Sequence, residues 1–540
     1  MAELSQGGGD HPRGGATGSA TGPGPAADDR PFPPGDYDVV VVGSGPGAVQ
    51  IAYSLGRSGV DHAVVSADPA PGGMFRRWPF FQRLLSWTKP YAPVERDSPA
   101  YERYDWNSLL SDDPAHRAVM PDLMDGSSYF PSRPEMERNI ATFAERTGTR
   151  IRYDCRWTAT RHEDGPDGWR FVLETTDGEY RAKALVFAVG VAEPYSPPTP
   201  GIELAAHYAD TRPAESYAGR RVFIMGKQNS GFELATGLLP WARRIYLCSP
   251  SPAKLSVNTR SLVGVRARYV QPFEDHVLGG GVAVLDASIG GIVRGEEGSG
   301  APIIVTVRPS DGGEDLAIEV DEVISATGFV TPLLDLPALG VTTFGQAKLP
   351  AQTPYWESAT VPGIYFAGTI GQGSAGLKKH GMPANSGAVH GARYNARVLA
   401  GHLAQRLAPE ASQRAAATRR LVDPAALVDE ILDTLATAPE LWHQRAYLAR
   451  VISLDPAVGP REEGVVPLAA FVDGHGDDGT GDALAITLEA DGTGAIYPVL
   501  YLRRAGRVEE RAIDADALLR FDTPGTRTRI AEILAEAGVR

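Results

Sequence analysis

The stretch D-Y-D-V-V-V-V-G-S-G-P-G-A at 36–48 constrains the fold of this chain more than any other segment. Its four consecutive valines predict a buried parallel strand, and an apolar helical pattern begins directly after the glycines. The turn between them fits G-x-G-x-x-G/A and supplies Gly43, Gly45, Pro46 and Gly47. A strand, a glycine turn and a helix in this order let the backbone approach a pyrophosphate at the helix N-terminus. The segment therefore predicts a dinucleotide-binding domain.

The second strand of this unit, 62–66, ends without the acidic residue that usually binds the ribose hydroxyls of a dinucleotide. Ser66 occupies that place and Asp68 follows two residues later, so both are candidates for the ribose. The turn P-G-G-M-F at 71–75 adds Gly73 and Met74, where the backbone can approach the cofactor.

A second nucleotide signature begins at 221–226, where the strand R-V-F-I-M-G leads into a loop and an apolar helix. The loop supplies Gly226, Lys227, Gln228, Asn229 and Ser230. Gln228 replaces the middle glycine of the fingerprint, so the approach to a phosphate must differ from that of the first turn.

The strand that follows this loop, 245–249, ends without a carboxylate and is followed by hydroxyl and cationic side chains. These residues are Ser249, Ser251, Lys254 and Arg260. Hydroxyls and cations suit a 2′-phosphate better than a free ribose hydroxyl, so the sequence favours NADPH over NADH. The alternative is that Lys254 and Arg260 are solvated surface charges.

A strand at 363–369 ends at Gly368 and Thr369, and a glycine-rich loop then leads into a predicted helix over 388–403. That helix carries His390, Arg393 and Tyr394. A helix N-terminus that points at a flavin ring would stabilise negative charge on the reduced ring.

Between 76 and 125 the periodicity is lost and aromatic side chains accumulate. A long insert of this kind is often functional, so its embedded polar residues are candidates for the face of a flavin. They are Lys89, Asn107 and His116. The alternative is a loop-rich insert whose aromatic side chains only pack.

The formal net charge of −14 argues against binding to nucleic acid or to an anionic membrane, because both need a basic surface. No apolar run approaches the length of a transmembrane helix. The N-terminus lacks the basic and apolar regions of a signal peptide, so we expect a cytoplasmic protein. The two cysteines, Cys155 and Cys248, cannot form a disulfide framework, and no metal site is predicted.

We therefore predict an α/β protein of two Rossmann-like dinucleotide-binding domains, the second inserted into the first. The first domain spans 35–215 and 331–405, and the second, which carries the NADPH signature, spans 216–330. Within the first part, strands are expected at 151–155, 171–174 and 184–190, and a helix at 134–146. The tail 1–34 is predicted to be disordered because it has almost no large apolar side chain.

The remaining 406–540 is predicted to be a small α+β extension. We expect a helical pair at 421–451, short strands within 483–513 and a helix at 526–537. No catalytic group is predicted there, so the extension would cap the protein or mediate contact between copies in a homo-oligomer.

This order of signals resembles the flavoproteins with an interrupted FAD domain, the class that includes flavin-containing monooxygenases. The resemblance covers 36–405. More closely, D-W-N-S-L-L at 105–110, the pair at 229–230 and H-G-A-R-Y at 390–394 are similar to one subgroup. It contains the endoplasmic-reticulum FAD-dependent oxidoreductases and bacterial amino-acid N-hydroxylases, among them the L-aspartate N-hydroxylases that form nitrosuccinate. The resemblance implies FAD and NADPH as cofactors.

Electrons that NADPH delivers to a flavin need an acceptor. Dithiol reductases use a pair such as C-x-x-C beside the flavin, which Cys155 and Cys248 do not form. We therefore expect an FAD-dependent monooxygenase that uses O2 through a hydroperoxide at flavin C4a and N-hydroxylates a small amino acid, L-aspartate above others. The alternatives are an NADPH oxidase, a redox flavoprotein serving a protein partner, or a Baeyer–Villiger or sulfur oxygenation.

An amine must be neutral to attack oxygen, and a dicarboxylate substrate needs cations around it. Because the chain as a whole is acidic, these cations must lie close to the bound substrate. The candidates for this role are Lys89, Arg260, Arg393 and His116.

Overall fold

The computed structural model describes residues 28–77, 83–165, 168–259, 264–296, 298, 302–381, 384–474 and 481–539. Its strands are β1 Asp36–Val42, β2 His62–Val65, β3 Trp157–Gly165, β4 Gly168–Thr175, β5 Gly178–Phe187, β6 Glu193–Pro194, β7 Ala206–His207, β8 Arg221–Met225, β9 Arg244–Ser249, β10 Val282–Arg294, β11 Ile303–Pro309, β12 Leu316–Val320, β13 Glu322–Ser325, β14 Phe329–Val330, β15 Thr343–Phe344, β16 Leu349–Pro350, β17 Ile364–Phe366, β18 Leu448–Asp455, β19 Gly459–Pro467, β20 Ala483–Ala490, β21 Ile496–Arg504 and β22 Arg507–Ala512.

The helices are α1 Pro46–Arg57, α2 Val119–Leu123, α3 Arg133–Arg146, α4 Asn229–Leu238, α5 Ser256–Thr259, α6 Gln271–Val277, α7 Val389–Leu407, α8 Pro409–Ala417, α9 Leu427–Thr437, α10 Pro439–His443, α11 Leu468–Asp473 and α12 Pro524–Glu536. Among the described residues, no helix is both long enough and apolar enough to cross a bilayer.

The first sheet is built around β1, which lies between β2 and β5 and runs parallel to both. β17 extends the parallel part beside the last residues of β5. β4 pairs antiparallel with the first half of β5, and β3 pairs antiparallel with β4. Val39 and Val41 face a core shared with α1, α3 and α7, whereas Val40 and Val42 face a second core. The valine run is continuous because both faces of β1 are buried.

The second sheet has the order β12-β11-β10-β9-β8-β13-β7. From β10 to β7 the neighbouring strands are parallel, and α4 follows β8 as α1 follows β1. β7 pairs with β13, so the second sheet takes in residues that precede 216. The predicted α/β class with two Rossmann-like dinucleotide-binding domains is confirmed.

The C-terminal extension contains a five-stranded antiparallel sheet of order β19-β18-β20-β21-β22. α9, α10 and α12 cover one face of this sheet. The helical pair expected at 421–451 is shorter than predicted, because α10 ends at His443 and Leu448 begins β18. Ala446 has φ +53, which interrupts the helix, and the apolar run after it pairs with β20.

The prediction of a strand at 151–155 is also wrong, because this segment forms only one isolated β-bridge, between Val65 and Arg152. Asp154 has φ +54, which a strand does not tolerate. The segment 28–34, placed in the tail by the sequence, contacts the first domain: the Tyr180 hydroxyl donates to the carbonyl of Phe32 at 2.8 Å.

Arg152 joins this N-terminal segment to the first sheet. Its side chain is 3% exposed, its Nε donates to Asp177 Oδ2 at 2.7 Å, and its Nη2 pairs with Asp28. A buried guanidinium is stabilised only while its carboxylate partners remain in place.

We expect Arg152→Met to lower the free energy of unfolding by about 2 kcal/mol, because Asp177 then loses a charged hydrogen-bond partner. Arg146→Met removes an exposed arginine of α3 and is the matched control. Urea unfolding followed by circular dichroism measures both. Equal midpoints for the two variants would contradict a structural role for Arg152.

Candidate active site

Three glycine turns of the first domain meet through their backbones at the start of α1. A Cβ on Gly47 would lie 2.5 Å from the Cα of Gly368, and a Cβ on Gly73 would lie 2.8 Å from the Cα of Gly45. Gly43 has φ +136, and a Cβ there would lie 2.6 Å from the carbonyl oxygen of Ala188. The structure thus brings together glycines predicted from three separate segments of the sequence.

This cradle fits the diphosphate of FAD, because side chains are absent where backbone must approach the ligand and α1 begins beside it. Asp68 lies next to the turn: its carboxylate accepts from Ser44 Oγ at 2.6 Å and from Arg77 Nη2 at 2.7 Å. The Asp68 N–H donates to Ser66 Oγ at 3.1 Å. Each carboxylate oxygen retains a lone pair for a ribose hydroxyl, so the predicted ribose role is compatible with these contacts.

The second glycine loop precedes α4 and leaves similar room. A Cβ on Gly231 would lie 2.2 Å from the carbonyl oxygen of Gly226, whose own φ is +116. The Lys227 ammonium turns away from the loop, donates to the Leu285 carbonyl at 2.6 Å and pairs with Asp286. Only its backbone therefore faces a phosphate.

The predicted 2′-phosphate residues lie at the end of β9. Ser249 Oγ donates to the carbonyl of Ser251 at 3.2 Å, and Ser251 and Lys254 are exposed. Arg260 lies outside the described residues. An exposed hydroxyl-rich turn with an exposed lysine fits a 2′-phosphate, and this role stays a prediction.

From the FAD cradle the chain leads directly to α7. The turn at Gly368–Gly373 follows β17, and a Cβ on Gly387, just before α7, would lie 3.0 Å from Gln372 Oε1. Gln50 of α1 ties the aromatic insert to the same region, because its Oε1 accepts from the Leu110 N–H at 2.7 Å. The first turn of α7 therefore stands beside the flavin cradle.

His390, in that first turn, is 1% exposed and has no hydrogen-bond partner on either ring nitrogen among the described residues. Its ring lies 4.2 Å from the Trp106 ring, between centroids, and 5.2 Å from the His443 ring. Trp87 packs on Trp106 at 4.8 Å. An imidazole with no partner inside the protein is a rare arrangement and points to a ligand.

Burial, together with the positive charges of Arg393, Arg445 and Arg266, lowers the pKa of His390 to about 3. His390 is therefore neutral throughout the physiological pH range. These arginines come from α7, from the C-terminal extension and from the second domain, so all three parts of the protein converge on one imidazole.

Arg266 and Arg445 are only partly buried, and burial lowers the pKa of each. Arg445 Nη1 donates to the Trp442 carbonyl at 3.2 Å, and neither guanidinium has a carboxylate partner among the described residues. Asn229 of the second glycine loop holds Arg266 in place, because its Oδ1 accepts from the Arg266 N–H at 3.0 Å. Two partly desolvated cations without counter-ions are suited to bind carboxylates.

The C-terminal extension forms one wall of this site. Gln444 is fully buried; its Nε2 donates to Asn395 Oδ1 at 2.7 Å and its Oε1 accepts from the Asn385 N–H at 2.9 Å. His443 Nε2 contacts the Glu102 carbonyl at 2.8 Å. These bonds fix the start of α7 against the insert, a role that the sequence did not predict for the extension.

Arg393 was predicted to meet the substrate, but its terminal nitrogens serve the protein. They donate to the carbonyls of Ser108 and Glu102 and to the Tyr394 hydroxyl, which leaves only a buried Nε without a partner. Arg393 therefore contributes its charge to the site and anchors the insert to α7.

The three candidates from the aromatic insert, Lys89, Asn107 and His116, do not share one role. Asn107 is fully buried and its amide is used by the protein: Nδ2 donates to Thr88 Oγ1 at 3.0 Å. Lys89 is exposed, and His116 Nδ1 lies 3.9 Å from Oδ2 of Asp113 in the same turn. No described contact joins Lys89 or His116 to His390.

Sequence reasoning missed the residues that complete the site. His390 and Trp106 lie within the motifs H-G-A-R-Y and D-W-N-S-L-L, which carried a usable signal. Arg266, His443 and Arg445 belong to no local pattern, and only the packing of three modules brings them together.

We expect Gly47→Ala to abolish retention of flavin, because the added methyl group meets backbone that cannot move aside. Gly401→Ala, in α7, is the control, since a Cβ there meets nothing within 4 Å. The ratio of flavin absorbance to protein absorbance measures the effect. Normal flavin content in Gly47→Ala would contradict the assignment of the cradle.

Solved structures of low identity share this fold. The flavin-containing monooxygenase of Stenotrophomonas maltophilia is 20% identical, with a TM-score of 0.51 over 69% of this chain and 99% of that chain. The ornithine N-hydroxylase of Kutzneria sp. 744 is 18% identical, with a TM-score of 0.50 over 69% of this chain and 100% of that chain.

In sequence, the mouse FAD-dependent oxidoreductase domain-containing protein 2 is 28% identical over 393 residues, which are 67% of this chain and 57% of the mouse protein. This chain thus spans little more than half the length of that relative. The family model "Pyridine nucleotide-disulphide oxidoreductase" matches residues 40–368, which is more than half of the chain. The chain therefore belongs to the pyridine nucleotide-disulphide oxidoreductase family, and its cofactors are FAD and NADPH.

Proposed function

We propose that this flavoprotein is an NADPH-dependent monooxygenase that hydroxylates the amine of a small dicarboxylic amino acid, with L-aspartate as the preferred substrate. The observation that carries the proposal is the buried, neutral His390, which has no hydrogen-bond partner among the described residues and lies in the field of three arginines with no carboxylate partner there. A dicarboxylate supplies the missing counter-ions, and its amine meets the imidazole.

Oxygen is the acceptor that the chain favours. The cysteines, Cys155 and Cys248, are both free and buried, and they lie in the cores of different sheets. Burial raises the pKa of each thiol, which makes the reactive thiolate scarce. No thiol pair is therefore available to relay electrons to a disulfide.

FAD bound in the glycine cradle and reduced by NADPH supplies the activation of O2. The remaining tasks belong to this chain's own residues. Arg266 and Arg445 bind the carboxylates, Trp87 and Trp106 exclude water, and the surrounding cations disfavour the ammonium form of the substrate. The balanced reaction is amino acid + O2 + NADPH + H⁺ → N-hydroxy amino acid + H2O + NADP⁺.

The specific test is NADPH oxidation by the purified flavoprotein across the amino acids, a few ketones and a few sulfides, with hydrogen peroxide assayed in parallel. We expect aspartate to accelerate NADPH oxidation without an equal yield of peroxide. The mass of the product shows whether oxidation ends at N-hydroxyaspartate or continues to nitrosuccinate.

We expect Arg266→Gln and Arg445→Gln each to raise KM for aspartate about 10- to 100-fold, because each removes a charged hydrogen bond of about 1.5–3 kcal/mol. KM for NADPH should change much less. Arg243→Gln, which removes an exposed arginine of the second domain, is the control.

If no compound alters the rate and all electrons appear as peroxide, the N-hydroxylase proposal is wrong. The alternatives would then be an NADPH oxidase or a redox protein that serves a protein partner. Acceleration by a ketone or a sulfide alone would point to a Baeyer–Villiger or sulfur-oxygenating enzyme.

A further inference from the structure

We propose that His390 accepts a hydrogen bond from the unprotonated amine of the substrate, so that the site takes up the amino acid in its free-amine form. This inference rests on the proposed function and names the group that meets the reacting nitrogen.

The first support is the missing partner. Other buried histidines of this chain are bonded within the protein: His443 Nε2 lies 2.8 Å from the Glu102 carbonyl, and His207 Nε2 lies 3.1 Å from the Gly328 carbonyl. His390 alone among these three has two unpaired nitrogens, although only 1% of it is exposed. Leaving a buried polar group unsatisfied costs free energy that a bound ligand would recover.

The second support is the fixed ring plane. Trp106 lies against the imidazole with ring centroids 4.2 Å apart and an interplanar angle of 32°. His443 closes a second side at 5.2 Å. These two rings contact adjacent sides of the imidazole, so the orientation of the His390 ring is fixed by its neighbours.

The third support is the charge around the ring. The charged and titratable groups that face it are Arg393 on its own helix, His443 and Arg445 from the extension, Arg266 from the second domain and Glu102 from the insert. His443 is held neutral by burial, and burial also raises the pKa of the Glu102 carboxyl. The net field is positive, so it opposes an ammonium group as strongly as it opposes an imidazolium.

His390 itself does not contribute to the pH dependence of substrate binding. The pKa of His390 is lowered to about 3, so the imidazole is neutral and does not titrate between pH 6.5 and pH 9. It does not take the proton from an ammonium ion, and its unprotonated nitrogen is the one that accepts a hydrogen bond. The pH dependence then comes from the ligand, since the free-amine fraction rises about tenfold per pH unit below the pKa of the amine.

The experiment measures equilibrium binding of L-aspartate and of succinate by calorimetry to the FAD-loaded protein between pH 6.5 and pH 9. Succinate presents two carboxylates without an amine, so it reports the arginines alone. We expect the Kd of aspartate to fall about tenfold per pH unit while the Kd of succinate stays nearly constant. An aspartate Kd that does not change with pH would overturn the inference.

Two variants distinguish the role of His390 as a hydrogen-bond acceptor from the role of its ring shape in packing. His390→Phe keeps a flat ring against Trp106 and removes both nitrogens, and we expect it to weaken aspartate binding at least tenfold while succinate binding changes less than twofold. His390→Gln restores an acceptor and should recover most of the loss. Flavin content and the unfolding midpoint show whether each variant is folded, and the pH series on the unmodified protein needs no variant.

Equal weakening of aspartate and succinate in His390→Phe would mean that His390 only supports the structure, and the inference would fail while the proposed function stands. If the unmodified protein binds neither dicarboxylate, the proposed function fails and the inference fails with it.

Discussion

The whole architecture depends on a backbone contact between two glycines that are far apart in the sequence. Gly47 opens α1 and Gly368 follows β17, and a single methyl group on Gly47 would lie 2.5 Å from the other residue's Cα. This contact joins the two parts of the first domain, which the second domain separates in the sequence. It also sets the distance from the cofactor cradle to the start of α7, because the turn at 368–373 supports the turn before that helix.

The parts that the sequence predicted well are those in which the signal is local. Glycine turns after buried strands were recognisable because a positive φ or a close backbone approach restricts the residue type at that position. Apolar runs predicted β1, β2, β4, β5, β8, β9 and β17. The strands β3, β10, β11 and β12 were not predicted. The fold of the two nucleotide-binding domains was therefore predictable from short segments, each read alone.

The failures have a common physical origin. The segment 151–155 has strand-like composition, but the left-handed residue Asp154 interrupts it. The run that begins at Leu448 is apolar enough for a helix or a strand, and its pairing with β20 decides the outcome. Likewise, Arg266 and Arg445 look like ordinary charged residues in sequence, and only tertiary packing leaves them without a carboxylate partner in the part of the chain that the structure describes.

The protein and its proposed substrate are both acidic, and the distance over which charges act reconciles the two. The net charge of −14 is spread over the surface of 540 residues, and salt at physiological strength screens exposed charges beyond about 8 Å. Arg266 and Arg445 are partly buried, so their attraction for a carboxylate is screened less than that of exposed charges. In the proposed function the same positive charges bind the two carboxylates and disfavour an ammonium group, so one arrangement of charge serves both tasks.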